Sequence, residues 1–293
     1  MAIERCEAQL GLADTPASPG TLRQAQRQYL ACTWIQESSA LDCEQAVTDS
    51  NSHDNTSRFA CVGCGACCRG RFVPLTLAET LAWLRRGHSV AVLLEGFDES
   101  AWPSGAPEFD YNLLRSAPVA CGAGSLQVTA IFAANVIPQC PNLGADDLCA
   151  IYTERPLVCR IYPMEINPFI ALAPSSKDCP PESWEQGNLL GSDRELTHQI
   201  LQSRQADRDD AQRKVQLCEA LGLTTAAWKG NGFTVYMPTV ERMLAALEGL
   251  ASEGQTTQPW RIRADDVALH EALEDRSFAL QTTASADYIF HQL

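Results

Sequence analysis

Apolar residues recur at helical spacing in several stretches of this chain. After a break at Ser18, Pro19 and Gly20, the stretch from Thr21 to about Ser38 places Tyr29, Leu30, Trp34 and Ile35 on one face. The polar run from Asp49 to Arg58 reads as a loop or linker. A short helix is predicted at Thr76–Gly87, with Thr76 and Glu79 as a capping box and Gly87 as the stop. Leu77, Leu81 and Leu84 lie near one face of it. Residues 125–137, SLQVTAIFAANVI, show short strand-like alternation, which Pro138 ends. Farther on, Ser192 and Glu195 predict a capped, polar-rich helix running to near Gly222. Pro238 and Thr239 precede a helix with Val240, Met243, Leu244 and Leu247 on one side, and another covers Ala264–Ser277. No internal repeat of fixed period is present.

These elements divide the chain into an N-terminal helical extension (1–57), a cysteine-rich middle (58–182) and a C-terminal helical region (183–293). The expected fold is α+β or mainly α: an irregular cysteine-rich, metal-centred domain with flanking helices. Hydrophobic residues make up 45% of the 293, as in a chain with a buried core. No stretch is long and apolar enough to span a membrane. The opening MAIERCEAQLGLAD carries two glutamates and no apolar centre, so no secretory leader is expected. The expected location is cytoplasmic. The formal charge of −14 repels polyanions, so nucleic acid is not an expected partner. Arg58, Arg69, Arg71, Arg85 and Arg86 form the best candidate basic patch, but balancing thiolate charge or facing water is the preferred reading of them.

Cysteine changes the picture most. There are 13, in a chain with no leader, and that combination points to metal or redox chemistry over disulfides. The string Cys61-Val-Gly-Cys64-Gly-Ala-Cys67-Cys68 packs four cysteines into eight residues. Thiolates two residues apart can reach one metal from a tight turn. Gly63 and Gly65 suit such a turn, because glycine tolerates left-handed backbone. Cys67 and Cys68 are adjacent, and neighbouring side chains usually point apart. The pair therefore suggests two metals, a multinuclear cluster or one spare thiol.

Cys140, Cys149, Cys159 and Cys179 follow downstream and bring the set to eight. Eight thiolates suit two closed four-coordinate zinc sites, or one or two iron–sulfur clusters. Pro156 fits the first turn of a short helix, which would place Arg155, Cys159 and Tyr162 on neighbouring positions. Arg155 and Arg160 could donate hydrogen bonds to thiolate or sulfide, or simply pair with carboxylates.

With these residues in view, the chain resembles the YkgJ-like cysteine cluster family, the CxxCxxCC zinc- or iron-chelating domain. The resemblance rests on Cys61, Cys64, Cys67, Cys68, Cys140 and Cys149. It extends through Ile151-Tyr152-x-x-Arg155-Pro156-x-x-Cys159-Arg160-x-Tyr162-Pro163 to Cys179, covering roughly residues 58–182. It implies that all eight cysteines are metal ligands. A related arrangement occurs in a bacterial flagellin lysine methylase, which admits an enzyme, but no glycine-rich methyl-donor fingerprint is present. No catalytic residue can be named. Cys6, Cys32, Cys43, Cys121 and Cys218 lie outside the pattern and read as small buried hydrophobes, with Cys32 and Cys43 a conceivable redox pair. His198, His270 and His291 read as surface histidines, and His53 and His88 lack motif spacing.

The expected function is zinc or iron chelation through up to eight cysteines, in an accessory or structural role. A protein partner would dock on the C-terminal helical region. The alternative is an iron–sulfur protein with redox, electron-transfer or methylase-associated activity. No serine-triad or HExxH pattern supports a hydrolase.

Overall fold

The run VAVLLEGF, Val90–Phe97, is a strand (β3) buried along its whole length. It pairs antiparallel with β5, Gly124–Gln139, the long strand around which the computed structural model is organised. The structure describes residues 57–249, 258–283 and 285–292. The helix expected after Thr21, together with Cys6, Cys32, Cys43 and His53, lies outside them.

Successive strand residues point to opposite faces. Val90, Val92 and Leu94 of β3 join Leu126, Val128, Ala130, Phe132, Ala134 and Val136 of β5 in the main core. Ala91, Leu93 and Ala133 face a smaller cluster with Phe72, Phe233, Val235 and Ile289. A strand buried on both faces needs no polar alternation, so β3 carries none.

Around this pair lie β2 (Arg69–Pro74), β4 (Ala117–Cys121), β7 (Thr225–Trp228), β8 (Gly232–Tyr236), β9 (Arg261–Arg263) and β10 (Tyr288–Gln292). They form one eight-stranded sheet of order β10-β8-β3-β5-β2, with β4 on β5, β7 on β3 and β9 on β7. The β3–β7 and β7–β9 pairings are parallel and the rest antiparallel. Arg58–Phe59 (β1) and Asn188–Leu189 (β6) make a separate small ladder.

The helices are α1 (Leu77–Arg85), α2 (Pro107–Leu114), α3 (Leu157–Ile161), α4 (Arg194–Ala220), α5 (Val240–Gly249) and α6 (Val267–Asp275). The Thr76/Glu79 capping box is present on α1. The cap of α4 is Asp193, one residue past the expected Ser192, and its side chain accepts the Leu196 N–H at 3.0 Å. Met243 of α5 is fully buried in the main core, with Val240, Leu244 and Leu247 packed beside it.

Two expectations need correction. The chain is not mainly α, and its centre is a sheet instead of an irregular metal-centred domain with flanking helices. The region 183–293 is not simply helical either. It supplies β7, β8, β9 and β10, and so shares one sheet with strands from 58–182. These strands are three to five residues long and show no alternation that would betray them. The alternating segment at 125–137 is also longer than expected. It runs through Pro138, which sits where β5 carries extra length against β2, between the Arg69–Gln139 and Arg71–Val136 pairs. A proline lacking its N–H is tolerated at such a bulge.

Candidate metal centre

Strand pairing joins the two cysteine blocks. The first block leads into β2 and the second leaves β5, and these strands are antiparallel neighbours. The end of the first block thus meets the start of the second, and the Cys140 N–H donates to the Cys68 carbonyl at 2.7 Å. A gap of more than 70 residues in sequence closes through one register.

The first block is a turn ending in a short 3-10 segment, Ala66–Cys68. Gly63 and Gly65 are left-handed, at φ 70° and 68°. A β-carbon on Gly63 would meet Leu148 Cδ2 at 2.6 Å, and one on Gly65 would meet Arg69 Nη1 at 2.6 Å. The loop therefore needs both glycines, for conformation and for room. Beyond Cys140 the chain turns tightly. The Leu143 N–H donates to the Cys140 carbonyl at 3.0 Å, and Leu143 bridges Cys149. Cys159 rides on α3, and Cys179 follows near Tyr162. The Cys179 thiol donates to Tyr162 Oη at 3.5 Å, and in the thiolate form the hydroxyl becomes the donor.

Ion pairs and one carboxylate hold these segments together. Arg69 donates to Gly65 O at 3.1 Å and pairs with Asp147 at 2.5 Å, tying the first block to the Cys149 loop. Arg71 pairs with Asp178, next to Cys179. Arg86 pairs with Glu154 at 2.5 Å, fastening α1 to the turn before Cys159. Glu79 spends one carboxylate oxygen on the Thr76 N–H at 2.9 Å and the other on the Leu157 N–H at 2.7 Å. It thereby caps α1 and the first turn of α3 at once.

The eight cysteines share one neighbourhood, but they differ in depth. Cys61 and Cys64 are exposed, Cys140 is buried, and Cys67, Cys68, Cys149, Cys159 and Cys179 are half-buried. Cys159 lies within electrostatic reach of Cys67, Cys140 and Cys149, and Cys179 within reach of Cys67, Cys64 and Cys61. Among the described residues, no three or more His, Cys, Asp or Glu side chains are drawn around one ion-sized point. The thiols are gathered, not converged.

Their acidities diverge. The hydrogen bond from Cys68 holds the Cys67 thiol down, to about 6, with Arg71 and Arg155 adding to the effect against burial. Cys68, the proton donor of that pair, is pushed well up. Burial pushes Cys159 up to about 12, and Cys67 and Cys140 repel its charge further. Burial also raises Cys140 and Cys179. Sulfurs this close cannot all ionise without a compensating cation. A metal ion would supply that cation, so the donor set fits a thiophilic metal such as zinc or iron. Asn142 adds to the fit. Its backbone and side-chain amide both face Cys140 and favour its thiolate, while its buried Nδ2 has no hydrogen-bond partner at full contact distance.

The two arginines expected beside the sulfurs behave differently. Arg155 lies within electrostatic reach of Cys67 and Cys159, with its guanidinium 3.7 Å above the Tyr152 ring. Arg160 instead donates to the Arg155 carbonyl at 2.7 Å and the Thr153 carbonyl at 3.5 Å, so it braces the turn. Asn142 is a partner that sequence reasoning did not name. Glu79 was read only as the cap of α1, Tyr162 only as a neighbour of Cys159, and Arg71 only as one of five arginines balancing thiolate charge or facing water. Cys121 and Cys218 are fully buried, as small hydrophobes are. His198 is exposed, while His291, expected at the surface, is buried on β10.

The site is thus a cluster of thiols with arginine and amide neighbours, held at the edge of a mixed sheet. Residues 60–180 match the family model described as CxxCxxCC, a putative zinc- or iron-chelating domain. No curated protein and no solved structure matches the chain. Among the described residues no helix is long and apolar enough to cross a membrane.

Proposed function

We propose that the chain chelates zinc or iron through the eight cysteines Cys61, Cys64, Cys67, Cys68, Cys140, Cys149, Cys159 and Cys179, and that the metal has a structural or accessory role. The observation that carries this is the β2–β5 register, which brings both cysteine blocks to one sheet edge. Bound metal would neutralise the gathered thiolates. The residues around it orient the sulfurs: Asn142 faces Cys140, Tyr162 holds Cys179, and Arg71 and Arg155 sit by Cys67.

The structural role is supported by what lies between Cys140 and Leu190. Regular structure there is confined to the five-residue α3, short 3-10 turns and β6. Its apolar cluster is small, formed by Ile161, Met164, Leu190 and Ile200. A metal cross-link would hold such a segment where apolar burial is thin. The reading includes reduced thiols in the cytoplasm. It also includes a protein partner on the C-terminal part, where Leu201 and Val267 are exposed large apolar side chains.

The test is anaerobic purification with zinc and iron supplied, then metal and acid-labile sulfide analysis. The expected result is about one equivalent of metal or more per chain, reduced in a Cys140→Ser/Cys159→Ser variant whose circular dichroism is unchanged. Sulfide with broad visible absorption would read as an iron–sulfur cluster, and its absence as a simple thiolate site. Less than one equivalent in the wild type, or unaltered metal in the variant, overturns the proposal.

A further inference from the structure

The eight sulfurs are not equivalent in their surroundings. Cys140 belongs to the main hydrophobic core, and Cys68 and Cys159 pack against it. Cys61, Cys64, Cys67, Cys149 and Cys179 do not, and it is the Leu143 bridge that ties Cys149 to the Cys140 group. Backbone bonding follows the same line. Cys140 is bonded to Cys68, and the Leu143 turn holds Cys149 beside Cys140. Cys179 is fastened to the other side, by its bond to Tyr162 and by the Arg71–Asp178 pair. That side also meets the start of the first block, where the Ala60 N–H donates to the Ser183 carbonyl at 2.9 Å and Phe59 meets the Tyr162 ring edge-on. Only the vicinal pair lies at the seam. Cys68 packs against the core with Cys140 and Cys159, and Cys67 does not.

Resting on the metal-centre reading above, we infer that the cysteines form two four-thiolate sites: an inner one of Cys68, Cys140, Cys149 and Cys159 against the sheet core, and an outer, exchangeable one of Cys61, Cys64, Cys67 and Cys179. Closed four-coordinate thiolate sites need four sulfurs each, and eight satisfy two without remainder. The adjacent cysteines then serve different metals, which removes the difficulty of two neighbouring side chains reaching one ion. The sites differ in access. The outer one has two exposed ligands, Cys61 and Cys64, on a glycine turn. In the inner one, Cys68 and Cys140 are joined by a backbone hydrogen bond at the end of the β2–β5 ladder. Release of the inner metal requires opening that edge, while release of the outer one requires only loop motion.

The experiment follows metal release from the anaerobically loaded full chain into excess chelator, by elemental analysis after rapid desalting at set times. Wild-type protein is expected to lose its metal in two phases separated by about tenfold or more in rate, a difference that ~1.4 kcal/mol of extra barrier produces. Cys64→Ser should abolish the fast phase and leave the slow phase at its wild-type rate. Cys149→Ser should remove the slow phase and spare the fast one. Circular dichroism confirms that both variants keep the fold, and Cys61→Ser replaces Cys64→Ser if the latter does not. A full load released in a single phase, or the loss of all metal in Cys64→Ser, overturns the partition while leaving metal binding intact. A wild-type load below about one equivalent overturns the metal-centre reading and the partition with it.

Discussion

Removing the Glu79 carboxylate should loosen two helices at once. Its two oxygens accept the Thr76 N–H at 2.9 Å and the Leu157 N–H at 2.7 Å, so Glu79→Ala strips both donors of their partner. Hydrogen bonds to a charged group contribute roughly 1.5–3 kcal/mol each, and the half-exposed setting places both near the low end. The expected loss is therefore about 3 kcal/mol. Thr76→Ala is the control. It deletes only the hydroxyl that accepts the Glu79 N–H at 3.1 Å, a cap worth about 1 kcal/mol. Glu79→Gln should fall between, because one amide oxygen cannot accept at both ends. Urea unfolding of the reduced protein measures the difference, and metal retention reports on α3, which carries Cys159. If Glu79→Ala and Thr76→Ala lie within about 0.5 kcal/mol of each other, the carboxylate does not bridge the helices and the reasoning fails.

Asp207 accepts from Arg115 at 2.6 Å and from Lys214 at 3.2 Å in a largely buried setting. Burial opposes its ionisation, but the two cations outweigh it and hold the carboxyl below its usual range. Stability from a depressed carboxyl is present above its unfolded value and lost as pH falls through the folded one, so acid titration should show this loss below about pH 4. Asp207→Asn, which leaves two buried cations without a counter-ion, should cost about 3–5 kcal/mol in urea unfolding and flatten that acid limb. Gly65→Ala forces a left-handed residue into contact with Arg69, so it should cost about 1–3 kcal/mol and lower metal affinity in a chelator competition. Phe132→Ala, at a fully buried position in the main core, should cost about 3–5 kcal/mol by thermal melting without changing metal stoichiometry. Hydrogen exchange should show that stripping the metal increases exchange between Cys140 and Leu190 and leaves β3 protected. Uniform deprotection would show that the sheet does not stand alone.

Legibility in the sequence followed local chemistry. The α1 capping box, Gly87 and the buried side of α5 were readable, because a cap or a helical stripe is written within one turn. The need for Gly63 and Gly65 followed from the turn between the cysteines. The sheet was not. VAVLLEGF lacks alternation because both its faces are buried, and a short apolar run does not declare its period. TAAW, RIR and YIFHQ are too short to show one. Pro138 seemed to end a strand that in fact carries it at a bulge. Arg71 could not be told from any other arginine in its run, since its partner Asp178 is over 100 residues away.

The sheet also alters what the metal has to do. In a small cysteine-rich module the metal replaces a missing core. Here the core is assembled from strands on both sides of the cysteine-rich segment, and its largest buried side chains include Trp260, Phe97 and Phe132. None of these belongs to a cysteine loop. The sheet edge formed by β2 and β5 is therefore a preformed platform, and on the proposed reading a metal would close loops onto it. This explains the placing of the clamps. Arg69–Asp147, Arg71–Asp178 and Arg86–Glu154 each join an element of the sheet region to a cysteine loop, and all are at least partly exposed. Such pairs add little stability by themselves. Their value is in narrowing the arrangements of thiols that the metal must otherwise order, so their loss should fall on metal affinity before it falls on the fold.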